Sequence, residues 1–189
     1  TTGLLATMPA ATQFDINLNS QRAVFTGPGY VLKTKLIDGT FPQWERVVPK
    51  FSDTATVIEG DRMAMIRAAR RMVSFHGRDT KGGTIAWENG KIAMAVDRPG
   101  NCVAREMIGD GAPVGKSGTI SFNLSYVIST LASFKSETVL VITDNSSSPT
   151  TFRDPSSDTS YIVVMPLHGD SEKAAMDAVR EMLATAAQT

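Results

Sequence analysis

From Ala55 to Leu167 the chain passes twice through one order of elements, strand, helix, strand, strand, strand, with no detectable identity between the passes. That recurrence limits the fold more than overall composition does. In the first pass residues 55–58 are extended, and Gly60-Asp61 starts a helical period that runs to about Phe75. Met65, Ile66, Ala69, Met72 and Val73 share one face of it, and Arg67, Arg70 and Arg71 share the other. Strands follow at 83–87, 91–96 and 102–108, with Glu88-Asn89-Gly90 supplying a tight hairpin turn of the Asn-Gly kind. In the second pass 118–122 is a strand and Asn123 caps a helix with Leu124, Val127, Ile128 and Leu131 along one side. Lys135 closes that helix, and strands come at 138–143, 150–153 and 161–165. Periodicity alone predicts an α+β domain.

Ahead of the repeat, 14–18, 23–26 and 30–36 read as a three-stranded meander with turns at Asn19-Ser20 and Gly27-Pro28-Gly29. A connector, LIDGTFPQWERVVP, joins this meander to the repeat. Pro42 fixes its own φ and holds Phe41 extended, while Phe41 and Trp44 carry apolar area that predicts a docked linker. After the repeat, 170–189 reads as a further helix, with Ala175, Val179, Met182 and Leu183 apolar and Glu172, Lys173, Asp177, Arg180 and Glu181 polar. The expected divisions are 1–49, 50–169 and 170–189. The chain opens on Thr1 rather than methionine, inside an apolar turn, and a truncated or processed chain is expected.

Composition excludes several classes. With 189 residues, 42% of them hydrophobic, and a formal net charge of zero, the chain is neither disordered nor a strongly basic nucleic-acid binder. Its single cysteine, Cys102, makes no internal disulfide, and with only His76 and His168 beside it the spacing holds no metal cluster. No cofactor is expected. No apolar run approaches the roughly 20 residues that span a bilayer, so no membrane association and a reducing cytoplasm are expected.

Candidate chemistry is weak. Gly115-Lys116-Ser117 has Asp110 where a phosphate-binding loop needs glycine, and a strand rather than a helix follows, so it reads as a surface turn. Ser147, His168 and Asp144 could be assembled into a hydrolase trio, but no Gly-x-Ser-x-Gly supports it. His76 reads as a helix-end residue on the solvent side and Cys102 as a small buried hydrophobe. A non-enzymatic protein is expected.

Lys33-Thr34-Lys35, the connector, Phe122-Asn123-Leu124-Ser125-Tyr126 and Thr159 to Leu167 (TSYIVVMPL) together resemble the bacterial replicative sliding clamp, the beta subunit of DNA polymerase III, over about residues 14–167 in order. The resemblance implies the end of a middle clamp domain, a complete C-terminal clamp domain and a helical extension that the family usually lacks. It implies helices lining a central hole with sheets outside. It also implies a head-to-tail homodimeric ring around duplex DNA, held without sequence preference, and a processivity factor that tethers polymerase.

By the same resemblance, a hydrophobic cleft captures linear motifs from the replicative polymerase, clamp-loader subunits and repair partners. Its residues here would be Pro42, Arg46 and Val47, Asn123 and Tyr126, Ser146 and Ser148, and Val163, Val164, Met165, Pro166 and Leu167. Arg67, Arg70, Arg71 and Lys135 would face DNA, and Met72 and Val73 would lie near a subunit interface rather than purely in the core. The chain departs from the pattern at Ser146, commonly apolar in the family, and at His168-Gly169, where a basic and an apolar residue are usual. A middle-domain loop that completes the cleft would lie upstream of Thr1. The alternative reading is a short clamp-like regulator that competes for clamp-binding peptides without encircling DNA.

Overall fold

The computed structural model describes residues 13, 15–75, 82–98, 102–113, 116–157, 159–167, 177, 180, 181, 184 and 185. The chain divides into two compact units, Thr1–Gln43 and Trp44–Thr189.

The first unit holds an antiparallel sheet of β1 (Asp15–Leu18), β2 (Arg22–Gly27) and β3 (Tyr30–Lys35), in that order. The Asn19 side chain accepts from the Gln21 and Arg22 amides at 2.9 and 2.8 Å and so shapes the first turn. Gly29, at φ +81°, supplies the left-handed residue that the second turn needs. Among its described residues only Ala23 is buried, while Ile16, Leu18 and Val31 are exposed.

In the second unit each pass of the repeat is present: β4 (Thr56–Asp61), α1 (Arg62–Val73), β5 (Gly82–Glu88), β6 (Lys91–Arg98) and β7 (Cys102–Asp110), then β8 (Ser117–Asn123), α2 (Leu124–Ser133), β9 (Thr138–Thr143), β10 (Thr150–Arg153) and β11 (Tyr161–Val164). The expected order holds throughout. Each helix starts on a short polar side chain: Asp61 accepts from the Ala64 amide at 2.6 Å, and Asn123 from the Ser125 amide at 3.0 Å. At the β5–β6 hairpin, Asn89 (φ +47°) and Gly90 (φ +89°) both adopt the left-handed conformation that such a turn demands.

The two passes exchange strands. One sheet runs β11-β10-β9-β4 and the other β7-β6-β5-β8, so the first strand of each pass completes the sheet of the other. Thr56 pairs with Thr143, and Thr84 with Ser121. Both sheets send alternate side chains into a single core that also takes the buried stripes of α1 and α2, including Ile58, Met65, Met94, Leu124 and Leu131. Phe122 and Phe152 meet there edge to face, centroids 5.5 Å apart, and join the two sheets directly. Each fully buried side chain of this size contributes about 1.5–3 kcal/mol.

The first residue of α1 also binds the end of α2. Arg62 donates to the carbonyls of Ser136 (2.5 Å) and Leu131 (3.3 Å), so the packed helices run antiparallel and a cation meets the negative end of α2. At the seam between the two sheets, Glu59 N–H donates to the Gly111 carbonyl at 2.9 Å. Gly111 has φ +126°, and a Cβ there would lie 1.7 Å from the Glu59 oxygen.

The linker expectation needs correction. Phe41 is 78% and Trp44 51% exposed, so the connector's aromatics are not buried. Trp44–Arg46 forms a single 3₁₀ turn, closed by the Val47 amide on the Trp44 carbonyl at 3.0 Å. One turn is too short to present an apolar stripe.

Candidate functional site

A cavity of about 420 Å³ opens between α2 and β11. From α2 it takes Tyr126, Ser129 and Thr130, and from the last strand Ile162, Val163, Val164 and Met165. The Asn123 cap fixes where α2 begins, which turns Leu124, Val127 and Leu131 into the core and leaves Tyr126 outward, 63% exposed. Ser129 sits one turn on from Tyr126 and donates its hydroxyl back to the Ser125 carbonyl at 2.9 Å. On the other wall, Val164 is buried while Met165 is 59% exposed. The segment after β11 is pinned to the opposite sheet, because the Leu167 amide donates to the Ser121 carbonyl at 2.7 Å and Pro166 is buried. The cavity is lined mainly by carbon, with the Ser129 and Thr130 hydroxyls near it. An aromatic ring and a flexible thioether at its rim suit an apolar anchor of varied shape.

Of the residues expected in this cleft, the cavity unites Tyr126, Val163, Val164 and Met165. Asn123 spends its side chain on the helix cap. Ser146 and Ser148 lie in the β9–β10 loop, half-buried, where the Asn145 side chain accepts from the Ser147 and Ser148 amides, both at 2.9 Å. Arg46 and Val47 sit at the 3₁₀ turn, exposed and outside the lining, and Pro42 is exposed in the first unit. Pro166 and Leu167 follow the strand without lining the cavity. Ser129, Thr130 and Ile162 were missed in the sequence; the helical period i+3, i+4 from Tyr126 is the signal that finds the first two.

Arg67, Arg70 and Arg71 are all exposed, opposite the buried Met65, Ile66, Ala68, Ala69 and Met72. Arg71 is paired within the domain. Its guanidinium makes a two-pronged bond to the Glu106 carboxylate of β7, which raises its already high pKa. No ion pair of Arg67 or Arg70 occurs among the described residues. Lys135 is exposed, and its amide donates to Asp154 at 3.3 Å.

Asp154 is itself 5% exposed and also accepts from the Ser156 hydroxyl (2.5 Å) and amide (2.9 Å); these bonds hold its carboxyl well below the usual carboxylate range. Met72 is a correction. At 2% exposure it belongs to the core, because the period of α1 turns it inward with Met65 and Ala69, and of the expected interface pair only Val73 keeps accessible surface.

The weaker candidates resolve into structural roles. Lys116 Nζ donates to the Thr54 and Ala55 carbonyls at 3.0 and 3.4 Å, tying a loop to the start of β4. Asp144 accepts from the Ser52 hydroxyl (2.6 Å) and amide (3.2 Å). Cys102 opens β7, and His76 and His168 lie outside the described residues. Among the described residues no group of three or more His, Cys, Asp or Glu side chains could hold a metal, and no helix is long and apolar enough to cross a membrane.

Comparison with known proteins agrees with this geometry. Residues 45–168 match the model of the DNA polymerase III beta subunit, C-terminal domain. The beta sliding clamp of Pseudomonas putida is 32% identical over 138 residues, which is 73% of this chain and 37% of the relative. That of Proteus mirabilis is 30% identical over 155 residues, 82% of this chain and 41% of the relative. A crystal structure of the DNA polymerase sliding clamp from Pseudomonas aeruginosa superposes with a TM-score of 0.75 at 27% identity, over 88% of this chain and 44% of that one. The chain thus spans about two-fifths of the length of these relatives. The strand-exchanged double repeat, with two antiparallel helices over one core, is the fold that these proteins share, and the chain belongs to the bacterial sliding-clamp family, the beta subunits of DNA polymerase III.

Proposed function

We propose that the chain supplies the peptide-capturing and DNA-facing part of a processivity clamp. The observation that carries this reading is the cavity of Tyr126, Val163, Val164 and Met165, an apolar site on a domain of the clamp family. A partner's short apolar motif would seat a side chain there, and the tether would raise the effective concentration of polymerase at the primer end instead of performing chemistry. Arg67 and Arg70 would face the duplex and meet phosphates at long range, which suits a protein that must not hold one register.

In the full-length protein, two copies would close head to tail around DNA. Clamp loader and polymerase would be the partners, the cleft would extend to Arg46 and Val47, and the cytoplasm would be the compartment. A related clamp from Pseudomonas aeruginosa has been crystallised bound to griselimycin.

The test is calorimetry with a short peptide bearing a Gln-Leu apolar anchor. Saturable binding that falls at least tenfold in the Tyr126→Ala variant is the expected result. Absence of binding to the intact chain would refute the reading. For the full-length protein, retention on circular duplex DNA and release on linearisation separate an encircling clamp from a regulator that only competes for peptides.

A further inference from the structure

One face of the β7-β6-β5-β8 sheet lies over the core, and the other carries small residues. By strand alternation and pairing, Thr84, Ala86, Ala93, Ala95 and Ser121 all fall on that second face. They are 0–4% exposed, although the core lies on the opposite side. A sheet face open to water would leave them accessible, so something covers it. Arg105 and Glu88 belong to the same face, in register with Ala95 and Lys91.

Each of these two residues meets the tail. Arg105 pairs with Glu181 at 2.9 Å, and Glu88 with Arg180 at 3.9 Å. Arg180 and Glu181 are consecutive, helical and exposed, yet they reach β5 and β7, the strands on either side of β6. Consecutive helical residues diverge by about 100°. A helix lying along β6 lets one side chain descend on each flank. Asp177, Ala184 and Thr185, also helical, are exposed and share the stripe of Arg180 and Glu181.

We propose that the tail is a strap: the helical segment that carries Asp177, Arg180, Glu181, Ala184 and Thr185 lies along β6 on the outer face of this sheet, fastened by the Arg105–Glu181 and Glu88–Arg180 pairs. A bed of alanines allows a helix to approach the sheet closely. The strap closes a face of the domain that would otherwise be an apolar patch open to other proteins. It leaves the Tyr126–Met165 cavity free, since neither Glu88 nor Arg105 lines that cavity.

The experiment compares the 189-residue chain with a version ending at Gly169, by thermal unfolding, dye binding to exposed apolar surface, peptide affinity and solution mass. The strap predicts a melting point lowered by several degrees, severalfold higher dye fluorescence, and peptide affinity and mass unchanged. Unchanged melting and dye signals overturn it. A tenfold gain in peptide affinity, or a change of mass, also overturns it, by placing the tail on the cavity or between copies. Should the shortened chain fail to fold, the full chain carrying Glu181→Arg decides the matter. Faster proteolysis of its tail, restored towards the parent rate by adding Arg105→Glu, supports the strap, and no change in either variant refutes it.

Discussion

The two passes of the repeat bury their helices in the same way and finish them differently. α1 presents Arg67, Arg70 and Arg71, whereas α2, LSYVISTLAS, carries no charged residue at all. Both turn an apolar stripe into one shared core, so packing leaves the outward stripe of each free to specialise. In α1 that stripe became cationic surface. In α2 it became hydroxyls and a tyrosine along the wall of a cavity. The difference teaches that similarity of fold between the passes fixes only the buried half of each helix and leaves the outward half of each free to differ.

The largest test breaks the comparison at its seam. Gly111→Ala puts a methyl group on the Glu59 carbonyl and a side chain at φ +126°, and should cost about 4 kcal/mol or more, read by urea unfolding. A loss under about 1 kcal/mol would mean that this contact does not hold the two sheets together. Next, Tyr126→Ala should lower peptide affinity at least tenfold, about 1.4 kcal/mol, while leaving stability and DNA association of the full-length ring unchanged. The reciprocal variant, Arg67→Ala with Arg70→Ala, should leave peptide affinity alone, weaken DNA association a few-fold at low salt and reduce its salt dependence by up to about two charges. An effect of either variant on both activities would dissolve the division of labour.

The smallest effect concerns Asp154, the buried acceptor after β10. Its carboxyl is depressed in the folded state, so its contribution is complete above the unfolded value of about 4 and disappears as pH falls through the folded value. Asp154→Asn should therefore be less stable than the parent at neutral pH, with the two unfolding curves converging as pH falls below about 4.

Much of this was legible. Alternation marked the strands, and Asp61 and Asn123 marked the starts of both helices, because caps and periods are local. Strand exchange was not legible, since Thr56 and Thr143 carry no mark of their pairing. Nor was the bond between Arg71 and Glu106, 35 positions apart. The cleft was half legible: Tyr126 and Met165 came from the family resemblance, while Ser129 and Thr130 needed the helix turned in space. The connector failed for a different reason. Aromatic residues announce area to be buried but name no partner, and Phe41 and Trp44 remain exposed.

The exchange of strands also sets a timetable for synthesis. When the first pass leaves the ribosome, β4 has no neighbour until Thr138–Thr143 emerges, and β5 lacks its second neighbour until Ser117–Asn123 does. A nascent chain halted between the passes therefore exposes unpaired strand edges and the uncovered stripe of α1. The domain cannot be made one half at a time, and the interval before its last strands appear is when it most needs a chaperone.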